Sequence, residues 1–193
     1  MTKIPLIQRL VVGASMVAGL CAATVSSAGA AVLTTQTVDA ITPIGSWLDT
    51  GVDLSAGSIY ELWVVNPNTI WSAGAETPFS RDSNANGINP AYYGTWTMDG
   101  FTANYGALVG EVGPTPGGGA GDSFFLIGTG TPVTGLAGEL YVGYWDSNYG
   151  DNSGIQTLQI SSVPEPASWA LMLAGVFAIG AGLRTRRSAP SAA

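Results

Sequence analysis

The chain has 193 residues, six Lys or Arg against thirteen Asp or Glu for a formal charge of −7, no histidine and one cysteine. Without imidazole, and with Cys21 confined to an N-terminal apolar run, Ser-His-Asp and Cys-His catalysis and the usual zinc and copper ligands are excluded, which leaves hard oxygen ligands. Over residues 31–162 twelve acids face one base, Arg81, for a formal −11, a field that repels phosphate backbones and excludes nucleic acid as a partner.

At the N-terminus Lys3 and Arg9 precede apolar residues 10–25, and small residues follow from Ser26 to Ala31. That is the three-part layout of a secretory signal, so residues 1–30 are expected to form a signal helix cut by signal peptidase near Ala28 or Ala30. Leu20 stands before Cys21, where a lipidation signal needs a small residue, so no lipid is expected.

Residues 31–162 are rich in glycine, asparagine, threonine and aromatics, with short apolar runs between turn signals. This predicts one all-β domain, a small β-sandwich or jelly roll, with strands over residues 59–65, 93–98, 107–112, 124–127, 140–144 and 155–160. In the last of these, Ile155, Thr157, Leu158 and Ile160 supply the alternation. No helix of convincing period is expected outside the two ends. Residues 114–121, with the sequence PTPGGGAG, read as a flexible loop, and they precede no helix that would make them a phosphate cradle.

Two polar loops concentrate oxygen donors. Asp146, Ser147, Asn148, Tyr149, Gly150, Asp151, Asn152, Ser153 and Gly154 combine two carboxylates, two amides and glycines that permit tight curvature, which are the requirements of calcium. The same residue types are ordinary turn formers, so a bare turn is the competing reading. Asp82, Ser83, Asn84, Ala85, Asn86 and Gly87 imitate the first half of an EF-hand loop, but Tyr93 stands where the bidentate glutamate belongs. This second loop reads as an Asx-rich turn or as a neighbour of the first.

Val163, Pro164, Glu165 and Pro166 form a stiff extended segment, because each proline fixes its own backbone and restrains the residue before it. Residues 167–183 are uncharged and at helical rise cover roughly 26 Å, close to a hydrocarbon core of about 30 Å. Arg184, Arg186 and Arg187 follow as a basic stop, which keeps that end cytoplasmic and everything before residue 167 outside. Residues 188–193 are read as a disordered tail. The expected placement is a membrane anchor carrying an exported domain, at the cell surface or extracellular after processing.

The ordered set of proline-glutamate-proline at 164–166, apolar span and basic cluster over residues 163–187 resembles the PEP-CTERM protein-sorting domain. The resemblance implies recognition by an exosortase, a membrane protease of bacteria that make exopolysaccharide. A second resemblance runs through the central domain: residues 47–52 (WLDTGV) with Gly57, 105–113 (YGALVGEVG), 124–128 (FFLIG), 138–146 (GELYVGYWD) and 151–154 (DNSG) are similar to the PA-IL-type galactophilic bacterial lectins. That likeness implies a jelly-roll sandwich in which sugar hydroxyls coordinate a bound calcium ion. By the likeness Asp146 ligates calcium and touches the sugar, Asp151 and Asn152 are side-chain ligands, and Asn148 or Tyr149 and a residue in 71–75 give backbone carbonyls. Asp151 also joins Asp146 and Trp145 as an expected sugar contact, with Trp71 and Tyr149 as further aromatic faces; the competing reading is that the tryptophans are core, as they more often are in a β-sandwich. The sequence departs from those lectins in a shorter calcium loop, in an acid at Asp151 where they have an amide, and in having no histidine to contact the sugar.

Together these features predict a non-enzymatic, calcium-dependent carbohydrate-binding module sorted to the cell surface, with a glycan or exopolysaccharide as partner. The rival is a structural envelope or exopolysaccharide-matrix protein without specific sugar binding. A two-carboxylate glycoside hydrolase finds no identifiable acid pair, and such enzymes are usually larger than this domain.

Overall fold

The computed structural model describes residues 30–74, 80–119, 121–163 and 173–179. In chain order the strands are β1 (Ala31–Asp39), β2 (Leu48–Leu54), β3 (Ile59–Val64), β4 (Trp71–Ser72), β5 (Asp82–Ser83), β6 (Thr95–Met98), β7 (Phe101–Asn104), β8 (Leu108–Val112), β9 (Ser123–Leu126), β10 (Gly130–Thr134), β11 (Gly138–Tyr144) and β12 (Ile155–Val163). A four-residue helix α1 (Pro90–Tyr93) precedes β6, and 3-10 turns occupy Ile44–Ser46 and Tyr149–Asp151.

The strands form two four-stranded sheets, ordered β1-β12-β3-β10 and β2-β11-β8-β9, with every pairing antiparallel. Strands β1, β2 and β3 alternate between the sheets, as do β9, β10, β11 and β12, which is the wiring of an eight-stranded jelly roll. Period-two patterning sets the inner faces. In β2, Thr50, Val52 and Leu54 are buried while Asp49, Gly51 and Asp53 face out. From the opposite sheet, Leu62, Val64, Leu158 and Ile160 meet Leu108, Val112, Leu140 and Val142 in the main core.

Strands β8 and β11 carry almost unbroken apolar runs because both of their faces are covered. Their outer face supports a second core of Trp47, Ala103, Ala107, Val109, Tyr141 and Trp145, against which Trp96, Met98, Phe101 and Phe124 pack from β6, β7 and β9. The β6–β7 hairpin is the lid of this layer.

Several local expectations need correction. In β12 the inward set is Gln156, Leu158 and Ile160, so Leu158 and Ile160 of the expected alternation face inward while Ile155 is exposed and Thr157 is only partly buried. The strand expected at residues 93–98 begins only at Thr95: Asn89 caps α1 by accepting the Ala91 N–H at 3.0 Å, and Gly94 at φ 83° ends it. Strand β10 was not expected because it contains Pro132, yet it lies at a sheet edge, where a missing N–H is tolerated. Residues 114–119 are not a free loop, since the Gly117 and Gly118 N–H groups donate to the Glu111 carboxylate at 2.9 and 2.7 Å.

Residues 173–179 are helical, and among the described residues no helix is long and apolar enough to cross a membrane. The rest of the expected span lies outside the described residues, as do residues 1–29, Pro164, Glu165, Pro166, Arg184, Arg186, Arg187 and the tail. Val163 is the last residue of β12.

Candidate functional site

The connection from β11 to β12 carries Asp146, Ser147, Asn148, Tyr149, Asp151 and Asn152, and it folds back on itself through its own side chains. Asp146 Oδ1 accepts the Asn148 N–H at 3.1 Å, and Asn148 Nδ2 donates to Asp151 Oδ1 at 2.8 Å. Asn152 Nδ2 donates to the Ala40 carbonyl at 3.1 Å, which ties the loop to the end of β1. The Tyr149–Asp151 turn lifts Tyr149 to the surface, where its ring is half exposed.

A second segment closes on this loop from far along the chain. Ser72 and Ser153 exchange backbone hydrogen bonds at 2.8 and 3.0 Å. Gly74, at φ 94°, lies so close to the Asp151 carboxylate that a β-carbon there would collide with it. Residues 71–74 therefore stand where a carbonyl donor was expected; Ala75 lies outside the described residues.

Asp146 is 5% exposed, and burial pushes its carboxyl above the ordinary aspartate range, against the Asn148 N–H and the Asn152 side chain, which favour the charged form. Asn152 is equally buried, and its Oδ1 has no hydrogen-bond partner among the described residues. A buried amide oxygen without a donor costs about 1–3 kcal/mol, so it marks a place that a donor or a cation would satisfy. The adjoining cavity of about 180 Å³ is lined by Ala73, Arg81, Tyr93, Tyr105, Asp146, Ser147, Asn148 and Asp151. Arg81 Nη1 stands 3.9 Å from Asp151 Oδ2, and its guanidinium lies 4.8 Å from the centre of the Tyr93 ring.

The donor set fits calcium: two carboxylates, one orphaned amide oxygen and backbone carbonyls, with no nitrogen or sulfur ligand. Among the described residues no three acids converge, so amide and carbonyl oxygens must complete any shell.

Two aromatic expectations are overturned. Trp145 is wholly buried in the second core, its ring packed among Trp47, Trp96, Phe101 and Phe124 and its Nε1 donating to the Trp96 carbonyl at 3.0 Å. It offers no face to a sugar. Trp71 is likewise internal, set edge-on to Tyr144 and bonded to the Gly106 carbonyl at 2.8 Å.

The second polar loop is a set of turns. Asn84 Oδ1 accepts the Asn86 N–H and Asn86 Oδ1 accepts the Thr129 N–H, both at 3.0 Å, so these amides hold backbone rather than wait for an ion. Asp82 does not line the cavity, whereas its neighbour Arg81 does. Sequence reasoning passed over Arg81, Tyr93 and Tyr105 as site residues, although a lone base within a −11 stretch was a usable signal for the first.

No curated protein matches the chain. A solved structure described as the N-terminal domain of EclA, a PllA-like lectin, is similar at 20% identity and a TM-score of 0.46, over 68% of this chain and 97% of that one. The PEP-CTERM protein-sorting motif matches residues 162–187, so the chain carries a tail of the kind that implies export and cell-surface sorting, with an exosortase as processing partner.

Proposed function

We propose that the exported domain is a non-enzymatic, calcium-dependent carbohydrate-binding module. The observation that carries this reading is the buried Asp146 carboxylate in the wall of an open cavity, with the buried, unpartnered Asn152 Oδ1 in the side chain that packs against it. Asp146, Asp151 and Asn152 hold the ion through side chains, and Asn148 or Tyr149 with the 71–74 segment provide carbonyls. Bound there, calcium supplies open coordination positions for a pair of sugar hydroxyls. The chain's own residues would shape the rest: Asp146 and Asp151 accept hydrogen bonds from the hydroxyls, Tyr149 offers an exposed ring, and Tyr93 and Tyr105, edge-to-face at 5.0 Å, wall the cavity.

Glycan binding measured with calcium and with EDTA tests the reading, which predicts that chelation abolishes binding; binding indifferent to EDTA would overturn it. The burial of Trp71 and Trp145, which removes two expected stacking faces, favours a second reading: calcium serves stability alone, in a structural component of an extracellular matrix. That reading predicts a calcium-dependent rise in melting temperature that no sugar extends.

A further inference from the structure

The geometry points to an acidic sugar, one bearing a carboxylate, as the ligand of this site, with Arg81 as its specificity-determining residue. This rests on the calcium-dependent sugar-binding reading and adds the ligand's charge. Arg81 is the one base in residues 31–162, and of all places on an acidic domain it sits at the cavity beside Asp151. Its 3.9 Å approach to Asp151 Oδ2 is too long for a hydrogen bond, so the guanidinium is held chiefly by the Tyr93 ring beneath it. The side chain is 24% exposed, which keeps part of its fork of donors open to the cavity.

Charge decides the preference. The ionised groups lining the cavity are Asp146, Asp151 and Arg81, two negative and one positive. A divalent cation engaged by the two carboxylates turns that local balance from −1 to +1 and draws Asp151 away from Arg81 as a counter-ion. The guanidinium is then a preorganised, partly desolvated donor with no anion of its own. A planar carboxylate matches its fork bidentately, and a monoanion balances the local charge, whereas a dianionic phosphate would overshoot it inside the domain's negative field. Asp82, next in the chain, is exposed and outside the cavity, so it does not fill this role.

The test is calorimetric titration of the full chain in detergent and saturating calcium with galacturonate, glucuronate, galactose, glucose and galactose 6-sulfate. A uronate should bind about tenfold tighter than its neutral parent, the size of one charge-assisted hydrogen-bond pair. Arg81→Gln should erase that advantage, read as the ratio of uronate to neutral-sugar affinity, whatever it does to either alone, and Arg81→Lys should restore part of it. Equal affinity for uronate and neutral sugar, or equal loss of both in Arg81→Gln, would overturn the assignment and leave calcium-dependent sugar binding intact. Preference for the sulfate over both uronates would overturn the carboxylate. Should Arg81→Gln fail to fold, the wild-type uronate advantage and its weakening by added salt still decide the matter. No sugar bound with calcium present would remove this inference together with the reading beneath it.

Discussion

Two connections leave the same sheet and each buries acid, yet they neutralise it by different means. After β11, Asp146 lines an open cavity, and the buried Asn152 in the same loop keeps an amide oxygen without a partner among the described residues. After β8, Glu111 is fully buried, and the loop it supports turns back so that the Gly117 and Gly118 N–H groups saturate its carboxylate. Asp122, whose two carboxyl oxygens are buried with no hydrogen-bond partner among the described residues, lies close enough to raise the Glu111 carboxyl further by its charge. Each loop also needs a glycine where a carboxyl meets backbone: a β-carbon on Gly113 would strike Asp122, as one on Gly74 would strike Asp151. One loop is thus closed by the protein's own N–H groups, and the other leaves a cavity.

The largest effect should come from Trp145→Ala, which empties the second core next to Asp146 and is expected to cost about 3–5 kcal/mol in urea unfolding. A cost near zero would return Trp145 to the list of sugar faces. Next, calcium at one hundred times its Kd should stabilise the protein by about 2.7 kcal/mol, on the order of 10 °C in melting temperature. Asp146→Asn should remove most of that shift; a shift that persists in the variant would place the ion elsewhere. Glu111→Gln exchanges one acceptor oxygen for a donor group facing the Gly117 or Gly118 N–H, and about 1–3 kcal/mol of stability should be lost. An unchanged unfolding midpoint would break the contrast between the loops.

The smallest effect is a pH dependence. Burial, the largest influence, pushes the Glu111 carboxyl above its ordinary 4.5, so the folded state holds its proton more tightly than the unfolded chain. That contribution to stability is complete below pH 4.5 and is lost as the pH rises through the raised folded value. Asp122→Asn removes the neighbouring charge and should flatten this loss, seen as a smaller fall in melting temperature between acidic and neutral pH. A slope identical to that of the wild type would show that the Asp122 charge does not act on Glu111.

Much of the fold was legible where the signal is local. Strands β3, β8, β9 and β11 were read close to their observed limits, because apolar runs between glycines announce them. Strands β1, β2 and β10 were missed, since threonine-rich alternation, Gly51 and Pro132 weaken the pattern and only sheet pairing rescues it. At the candidate site, Asp146, Asp151 and Asn152 lie together as their spacing implied. Trp145, one residue before Asp146, points to the other side of the sheet, which period-two geometry allows but composition does not reveal.

By itself the sequence determined the sorting motif at residues 162–187, the lack of histidine and of any cysteine but Cys21, the acidity of the domain and the oxygen-rich loop after β11. These are properties of residue type and short spacing, which survive without contacts. Only the tertiary structure decided that Gly74 and Ser72 meet the loop, that Arg81 and Tyr93 reach its cavity, and that Trp71 and Trp145 are withdrawn from it. Those outcomes depend on contacts between residues distant in the chain, such as Ser72 with Ser153 and Trp145 with Trp96, set by which sheet each strand joins and which face each side chain takes.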